Sequence, residues 1–213
     1  MYKIQEIFNL SYQGYCSHFN PSDEQNKAAY SIMNCKSGRL GCSISICEDC
    51  GHLETHNNSC RNRHCPCCQA VLKELWIDNR KSEVIDAPYF HVVFTLPAEL
   101  NPLIYANQYL LYSLLHKCVS QTLLELSADS KYLGATPGII QILHTWGQEY
   151  YHPHMHCIVA GAGLTKAKQF RRSSKDFFIP VKVLASKFRG KFLARLQELY
   201  ATNKLSFSSS CNK

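Results

Sequence analysis

Apolar positions along the chain follow two periods, one typical of strands and one typical of helices. Tyr89 to Leu96 is a β-branched and aromatic run closed by Pro97, which predicts a strand. Residues 138–146 and 155–160 have the same character and predict a second and a third strand, paired as a hairpin. Helical spacing predicts helices over 21–36, over 70–86, from Asn101 onwards and after Pro180. The predicted fold class is therefore α+β.

Residues 42–69 are rich in cysteine and poor in large apolar side chains, so this segment cannot build a core unaided. Cys47-x-x-Cys50 and Cys65-x-x-Cys68 are separated by fourteen residues, a spacing typical of one zinc ion held by four thiolates. Four thiolates leave no open coordination position, which indicates a structural site. Cys60 and His64 lie between the pairs and are alternative ligands or ligands of a second ion.

Other cysteines of the chain are expected to play no part in the zinc site. Cys67 adjoins Cys68 and cannot easily face the same way. The remaining ones are expected to be ordinary small residues: Cys16, Cys35, Cys118, Cys157 and Cys211.

Composition excludes several classes of protein. With 46% apolar and 18% charged residues the chain is globular, and its longest apolar region is interrupted by polar residues, so no membrane span is expected. The first ten residues lack the features of a secretory signal. Clustered thiols without an export signal favour metal binding in a reducing cytoplasm over disulfides.

Positive charge is concentrated at the end of the chain. The net charge is +7, and residues 164–213 hold twelve basic residues against two acidic ones. This imbalance indicates a polyanionic partner, most simply DNA, although a solvated surface is the alternative. The candidate phosphate contacts are Arg61 and Arg63 in the cysteine-rich segment and Lys187, Lys191 and Arg195 on the last helix.

Three histidines alternate in the segment His152-Pro-His-Met-His156. Residues two apart on a strand share a face, so His154 and His156 can hold one divalent cation. The third ligand is expected on the neighbouring strand, where His144 is the first choice and Gln148 and Glu149 are competitors. His91, on the first strand, is expected to be a core histidine or to support a ligand.

Three motifs, in this order, carry a family resemblance: Ser59-Cys-Arg-Asn-Arg-His-Cys-Pro-Cys-Cys-Gln69, Tyr89-Phe-His-Val-Val-Phe-Thr-Leu-Pro97, and His144-Thr-Trp-Gly-Gln148 with His152-Pro-His-Met-His156. With them the chain resembles the IS-ninety-one-type rolling-circle transposases of the HUH nuclease superfamily. The resemblance implies an N-terminal helical and zinc-ribbon-like module over residues 1–87. Residues 88–213 would be an antiparallel-sheet nuclease domain flanked by helices and incomplete at its C-terminus.

The resemblance also implies a chemistry. His154 and His156 would hold Mg²⁺ or Mn²⁺, which polarises the scissile phosphate of single-stranded DNA at the element ends. A tyrosine then attacks the phosphorus and forms a 5′-phosphotyrosine bond, leaving a free 3′-hydroxyl. The function expected by resemblance is thus DNA transposition by strand cleavage and rejoining.

One departure from the family pattern concerns the nucleophile. The family uses a tyrosine pair on a helix well beyond the histidines, and this sequence contains no such downstream pair. Tyr200, late in the last helix, is the one geometric candidate. The chain therefore resembles the front part of a truncated transposase, and whether it acts alone as an enzyme stays open. The alternatives are a non-enzymatic DNA-binding remnant and a hydrolase in which the histidine site activates water.

Overall fold

The computed structural model describes residues 3–147, 150–173 and 179–207. The chain divides into two compact units, Met1–Ile85 and Asp86–Lys213. Within the described residues, no helix is long and apolar enough to cross a membrane.

The first unit contains three helices and one strand pair. These elements are α1 (Ile4–His18), α2 (Asp23–Asn34), β1 (Cys42–Ile46), β2 (Leu53–Asn57) and α3 (Pro66–Ser82). Helix α2 begins as its sequence predicts, because the Ser22 hydroxyl accepts a hydrogen bond from the Gln25 amide and the Gln25 side chain accepts one from the Ser22 amide. Helix α3 begins with Pro66 at its first position, where the missing N–H costs nothing.

Few side chains of the first unit are buried. Every residue of the β1–β2 hairpin is exposed, and the small buried cluster consists of Ile32 packed against Cys35 and Cys65. Phe8 of α1 closes this cluster from one side. Since so little apolar surface is removed from water, this unit depends on additional cross-links between its elements.

The second unit is an antiparallel sheet with helices. Its elements are β3 (Tyr89–Thr95), α4 (Asn101–Ala106), α5 (Gln108–Ala128), β4 (Thr136–Trp146), β5 (Tyr151–Leu164), β6 (Phe170–Arg172) and α6 (Val181–Ala201). The strand order is β3-β5-β4, and the short β6 pairs with β5. The three strands predicted from the sequence are thus confirmed, as is the α+β class.

Strand β5 is longer than its prediction because the histidine segment itself is paired. His154 lies opposite Thr95 of β3 and His144 of β4. Pro153, which has no N–H to donate, coincides with the end of the β3 pairing and with a register shift in the β4 pairing. A proline is therefore accommodated in a central strand at a place where the ladder is interrupted.

The two faces of the sheet are different in character. Met155, Cys157 and Val159 of β5 are buried in a core that includes Leu115 of α5 and Phe188 of α6. The helices thus cover one face. On β5, the residues between these core positions belong to the opposite face, where His154 and His156 are half-buried and Ile158 is exposed. The alternation of the strand consequently places the histidines on the open face of the sheet.

Candidate metal centres

Four thiols of the first unit converge. The Sγ atoms of Cys35, Cys60, Cys65 and Cys68 all lie within 4.8 Å of one another. The Sγ atom of Cys68 is 3.6 Å from that of Cys35 and 3.6 Å from that of Cys60. Sulfur atoms bound to one tetrahedral zinc at about 2.3 Å are separated by roughly 3.8 Å, so the four thiols fit a zinc ion.

Local structure explains why these thiols meet. Cys65 caps the N-terminus of α3 and Cys68 follows one turn later, so their side chains lie on the same side of the helix start. Cys35 ends α2, and Cys60 follows the β1–β2 hairpin. The amide of Lys36 donates to the carbonyl of Asn58, which holds the end of α2 beside the segment leading to Cys60.

Electrostatics at the cluster favour a thiolate at one position. Burial and the neighbouring thiols raise the pKa of Cys60 to about 12. Burial also opposes ionisation of Cys68, but hydrogen bonds with Cys35 and Cys60 outweigh it and lower the pKa of Cys68 to about 7. The positive end of the α3 dipole favours negative charge at the same place. Zinc binds thiolates, so this site is suited to it.

The observed thiol group differs from the ligand set expected from the sequence. Cys65 and Cys68 belong to it, and so does Cys60, which was an alternative. Cys47 and Cys50 do not belong to it and are exposed. Cys47 follows the end of β1, five residues beyond Cys42, or about 16 Å at the rise of a strand, and Cys50 lies in the turn before β2.

Cys35 takes part although its position indicated only an ordinary small residue. It is separated from Cys60 by 24 residues, so no short spacing connects the two. The available signal was its place at the end of an amphipathic helix, three positions after the buried Ile32 and so on the same face.

Other predicted residues of the first unit lie around the cluster rather than in it. His64 is exposed and outside the thiol group, and its Nε2 accepts a hydrogen bond from the Arg63 Nε at 3.2 Å. Cys67 is exposed and lies outside the thiol group. Arg61 and Arg63 are both exposed, as phosphate contacts require.

The second unit brings together His144, His154 and His156. One ring nitrogen of each lies within 4.8 Å of those of the other two. His144 is paired directly with His154 across β4 and β5, and His156 follows on the same face. Three imidazole nitrogens on rigid neighbouring strands suit a divalent cation and leave coordination positions open for other ligands. The competing ligands Gln148 and Glu149 lie outside the described residues.

Two of these histidines have a defined hydrogen bond. The Nδ1 of His154 is 2.6 Å from the carbonyl oxygen of His152. Because a carbonyl only accepts, His154 carries its proton on Nδ1 and has a lone pair on Nε2. The Nδ1 of His156 is 2.8 Å from the Nε2 of His91. Partial burial, followed by the neighbouring histidines, lowers the pKa of His156, which favours the neutral form that binds metal.

The basic residues of the last helix lie elsewhere. Lys187 and Lys191 both contact Glu125 of α5, with Nζ to carboxylate distances of 3.1 Å and 2.6 Å. The hydrogen bond from Lys191 contributes most to lowering the pKa of Glu125. Arg195 donates to the side-chain oxygen of Gln121 at 2.6 Å. These cations therefore belong to the helical layer, on the opposite face of the sheet from the histidines.

The structure does not bring Tyr200 to the histidines. It lies on α6 in the helical layer, is 64% exposed, and its ring packs edge-on against Phe207. Tyr151 points toward the helices, with its hydroxyl 2.7 Å from that of Tyr112, and burial raises the pKa of Tyr151 strongly. Tyr150 is exposed, and its ring centroid is 5.8 Å from that of His152.

Comparisons with protein families match transposase profiles in both parts of the chain. Residues 7–96 match the family profile of the "Transposase zinc-binding domain", and residues 138–213 match the profile "Putative transposase". The two matches together take in most of the chain.

Two curated relatives are similar over long stretches. One is the "Putative transposase y4qJ" of Sinorhizobium fredii (strain NBRC 101917 / NGR234), 38% identical over 210 residues, which are 97% of this chain and 53% of that protein. Another is the "Transposase for insertion sequence element IS801" of Pseudomonas savastanoi pv. phaseolicola, 33% identical over 141 residues, 62% of this chain and 32% of that protein. The chain thus spans about half the length of the first relative and a third of the second.

Solved structures with a related arrangement include the conjugative relaxase TrwC in complex with oriT DNA in a metal-bound form. It has a TM-score of 0.41 and 16% identity over 51% of this chain and 43% of that one. The same relaxase complexed with a 27-mer DNA has a TM-score of 0.39 and 20% identity over 51% of this chain and 44% of that one. The matches to the two family profiles and to the two curated relatives show that the chain belongs to the IS-ninety-one-type transposases.

Proposed function

We propose that this chain supplies the zinc module and the cation centre of a rolling-circle transposase, and that the cation centre receives a phosphate of single-stranded DNA. The observation that carries the proposal is the convergence of His144, His154 and His156 on the open face of the sheet. Within the described part of the second unit, the core helices pack against the other face, which leaves this one open to a phosphodiester.

The residues of the site perform three tasks. The β4–β5 pairing fixes the distance between His144 and His154, since both belong to one register pair. The carbonyl of His152 holds His154 in the tautomer that offers Nε2. Met155, buried between the two ligands of β5, anchors the strand so that both imidazoles keep their direction. Mg²⁺ or Mn²⁺ held there would supply Lewis-acid polarisation of the phosphate.

Strand cleavage by this chemistry needs a nucleophile. In the proposed reaction a tyrosine oxygen forms a bond to phosphorus, the bond to the 3′-oxygen breaks, and the tyrosine proton passes to solvent while the leaving oxygen becomes a 3′-hydroxyl. In the described part of the chain, the ring contacts of the three histidines are all with other histidines. We therefore expect that this chain by itself binds cation and DNA and forms no covalent adduct through Tyr200.

A metal-binding experiment tests the cation site. Mn²⁺ titrations of the purified chain, followed by electron paramagnetic resonance, should show one site that is lost in His154→Ala and in His156→Ala. His18→Ala, which removes an exposed histidine of α1, is the control and should bind as the original chain does. Equal Mn²⁺ binding by all four proteins would exclude the histidine site.

A cleavage experiment tests the reaction. Labelled single-stranded element ends are incubated with the chain and Mn²⁺ and separated under denaturing conditions. We expect no protein-linked band; a band that is lost in Tyr200→Phe would make Tyr200 the nucleophile, and one lost in Tyr150→Phe would implicate that residue. Metal-dependent nicking without a covalent band would instead favour a hydrolase that activates water.

DNA binding is proposed with a preference for single strands. Binding should weaken steeply between about 50 and 200 mM salt because phosphate contacts release counterions. A single strand and the duplex of the same sequence are compared in the same titration. Salt-independent binding would argue against phosphate contacts, and tighter duplex binding would argue against the strand preference.

The thiol cluster also bears on the compartment. Thiolates that hold zinc must stay reduced, so we propose that the protein works in the cytoplasm.

A further inference from the structure

We propose that His91 is the positioning residue of the cation site, because it selects the tautomer of His156 that leaves Nε2 free to bind metal. This inference rests on the proposed function, since it concerns the same site. His91 lies on β3, whereas the three converging histidines come from β4 and β5. It would therefore connect a third strand of the sheet, β3, to the site.

Register explains how His91 reaches His156. The residue directly opposite His156 on β3 is Val93, and His91 is opposite Ile158. His91 is thus the diagonal neighbour of His156 on the same face, a separation that long and aromatic side chains can bridge. The two rings lie within 9° of parallel, with centroids 5.0 Å apart and the Nε2 of His91 2.8 Å from the Nδ1 of His156.

The direction of this hydrogen bond decides whether His156 can bind a cation. A neutral imidazole has one N–H and one lone pair. If His156 donates from Nδ1, its lone pair is on Nε2, and His91 must accept with Nε2 and carry its own proton on Nδ1. If His91 donated instead, His156 would accept with Nδ1 and carry its proton on Nε2, which would block that nitrogen.

The tautomer of His154 is also set by a hydrogen bond, but with a different kind of partner. His154 is fixed by the His152 carbonyl, which can only accept and so enforces one tautomer. The partner of His156 is a second imidazole, which can act either way. The tautomer of His156 is therefore controlled by a side chain, and it responds to substitution of that side chain. Partners of this kind commonly change metal affinity by about 10–100-fold.

Two substitutions at His91 separate positioning from mere packing. His91→Phe keeps a ring of similar size but cannot accept a hydrogen bond, so Mn²⁺ affinity should fall about 10–100-fold. His91→Gln keeps an acceptor oxygen and should recover most of this loss. Thr95→Val is the matched control, because Thr95 is on the same strand and face, opposite His154, and should leave affinity unchanged.

Nuclear magnetic resonance of the ring nitrogens gives a readout that needs no metal. In the metal-free chain, His156 should be protonated on Nδ1, and in His91→Phe the population should shift toward the Nε2-protonated form. A chain that binds no Mn²⁺ at all would overturn the proposed function, while the nitrogen spectra would still test the tautomer. Nε2-protonated His156 in the original chain, unchanged Mn²⁺ affinity in His91→Phe, or an equal loss in the Phe and Gln variants would each overturn the positioning role. The last result is expected if His91 binds the cation directly.

Discussion

At the scale of single residues, the two candidate metal centres are built by different means. The thiols come from three separate segments joined by loops, and the start of α3 contributes two of the four. The histidines come from adjacent strands in a fixed register. The first centre can therefore form only as the segments around it fold, whereas the second is already defined by strand pairing.

Replacing a cysteine tests whether the observed thiol group is the zinc ligand set. Cys60→Ser should reduce bound zinc from about one ion per chain to a small fraction, since a hydroxyl does not replace a thiolate ligand. Cys47→Ser is the matched control and should keep its zinc, because Cys47 is exposed at the hairpin tip. Elemental analysis of both proteins, purified without chelator, makes the measurement. Zinc loss in Cys47→Ser equal to that in Cys60→Ser would restore the ligand set expected from spacing.

The sequence pattern predicted the histidine site more completely than the thiol site. The alternation of His152, His154 and His156 indicated their common face, because a strand has a period of two. Spacing within a Cys-x-x-Cys pair indicated that Cys65 and Cys68 act together. It could not show which distant thiols join them, because that depends on how α2 and the hairpin pack. His91 was an ambiguous core or supporting histidine until the register placed it diagonally from His156.

At the scale of elements, β5 performs two tasks at once. Its buried residues, Met155 among them, hold the sheet against the helices, and the alternate positions carry the histidines. The strand was predicted over 155–160 and runs from Tyr151 to Leu164. The extension was missed because Pro153 is unfavourable inside a strand, and only a register shift makes room for it.

Two neighbouring substitutions on β5 should have opposite effects. Met155→Ala should lower the free energy of unfolding by about 2–5 kcal/mol, since a fully buried side chain leaves a cavity. Mn²⁺ affinity should change little in conditions where this variant stays folded. His156→Ala should abolish Mn²⁺ binding with a much smaller change in stability. Urea unfolding and Mn²⁺ titration on both proteins provide the measurement, and parallel losses in both quantities would contradict the division of the strand.

A glycine substitution tests how closely β4 and β5 approach each other. A Cβ atom at Gly163 would overlap the carbonyl oxygen of Thr136, so Gly163→Ala should destabilise the second unit by about 1–3 kcal/mol. Gly138→Ala is the control on the partner strand, where an added Cβ meets no atom within 4 Å, and it should change stability by at most about 0.5 kcal/mol. Unfolding is followed by the fluorescence of Trp146 in a Trp76→Phe background. Equal effects of the two substitutions would argue against a close approach at Gly163.

At the scale of the whole molecule, the two units depend on different sources of stability. The second unit has a continuous apolar core that includes α5, α6 and three strands. Within residues 3–85, the first unit has a small buried cluster of Ile32 and two of the thiols. Hydrophobic burial therefore accounts for the second unit, and we expect the first unit to depend on metal binding.

Removal of zinc should unfold part of the first unit and leave the second unit folded. Removing zinc with an excess of a strong chelator should expose the amides of residues 35–68 to hydrogen exchange, while those of α5 and β5 keep their protection. Mass spectrometry of exchanged peptides gives the measurement, and restoring zinc provides the control. Unchanged protection of residues 35–68, or simultaneous loss in β5, would show that the first unit does not depend on zinc in this way.

Core residues and histidines alternate along β5, and this alternation affects which mutations the protein can tolerate. Inserting or deleting one codon just before Met155 would turn every following side chain of the strand to the other face, so that the imidazole of His156 enters the apolar core and Met155 and Val159 meet water. Such an insertion or deletion would abolish folding and cation binding at the same time. Point substitutions, by contrast, can silence either property alone. Inactivated copies of a gene like this one should therefore include proteins that fold but have lost cation binding through a substitution. Copies with a one-codon insertion or deletion in this strand should give no folded protein.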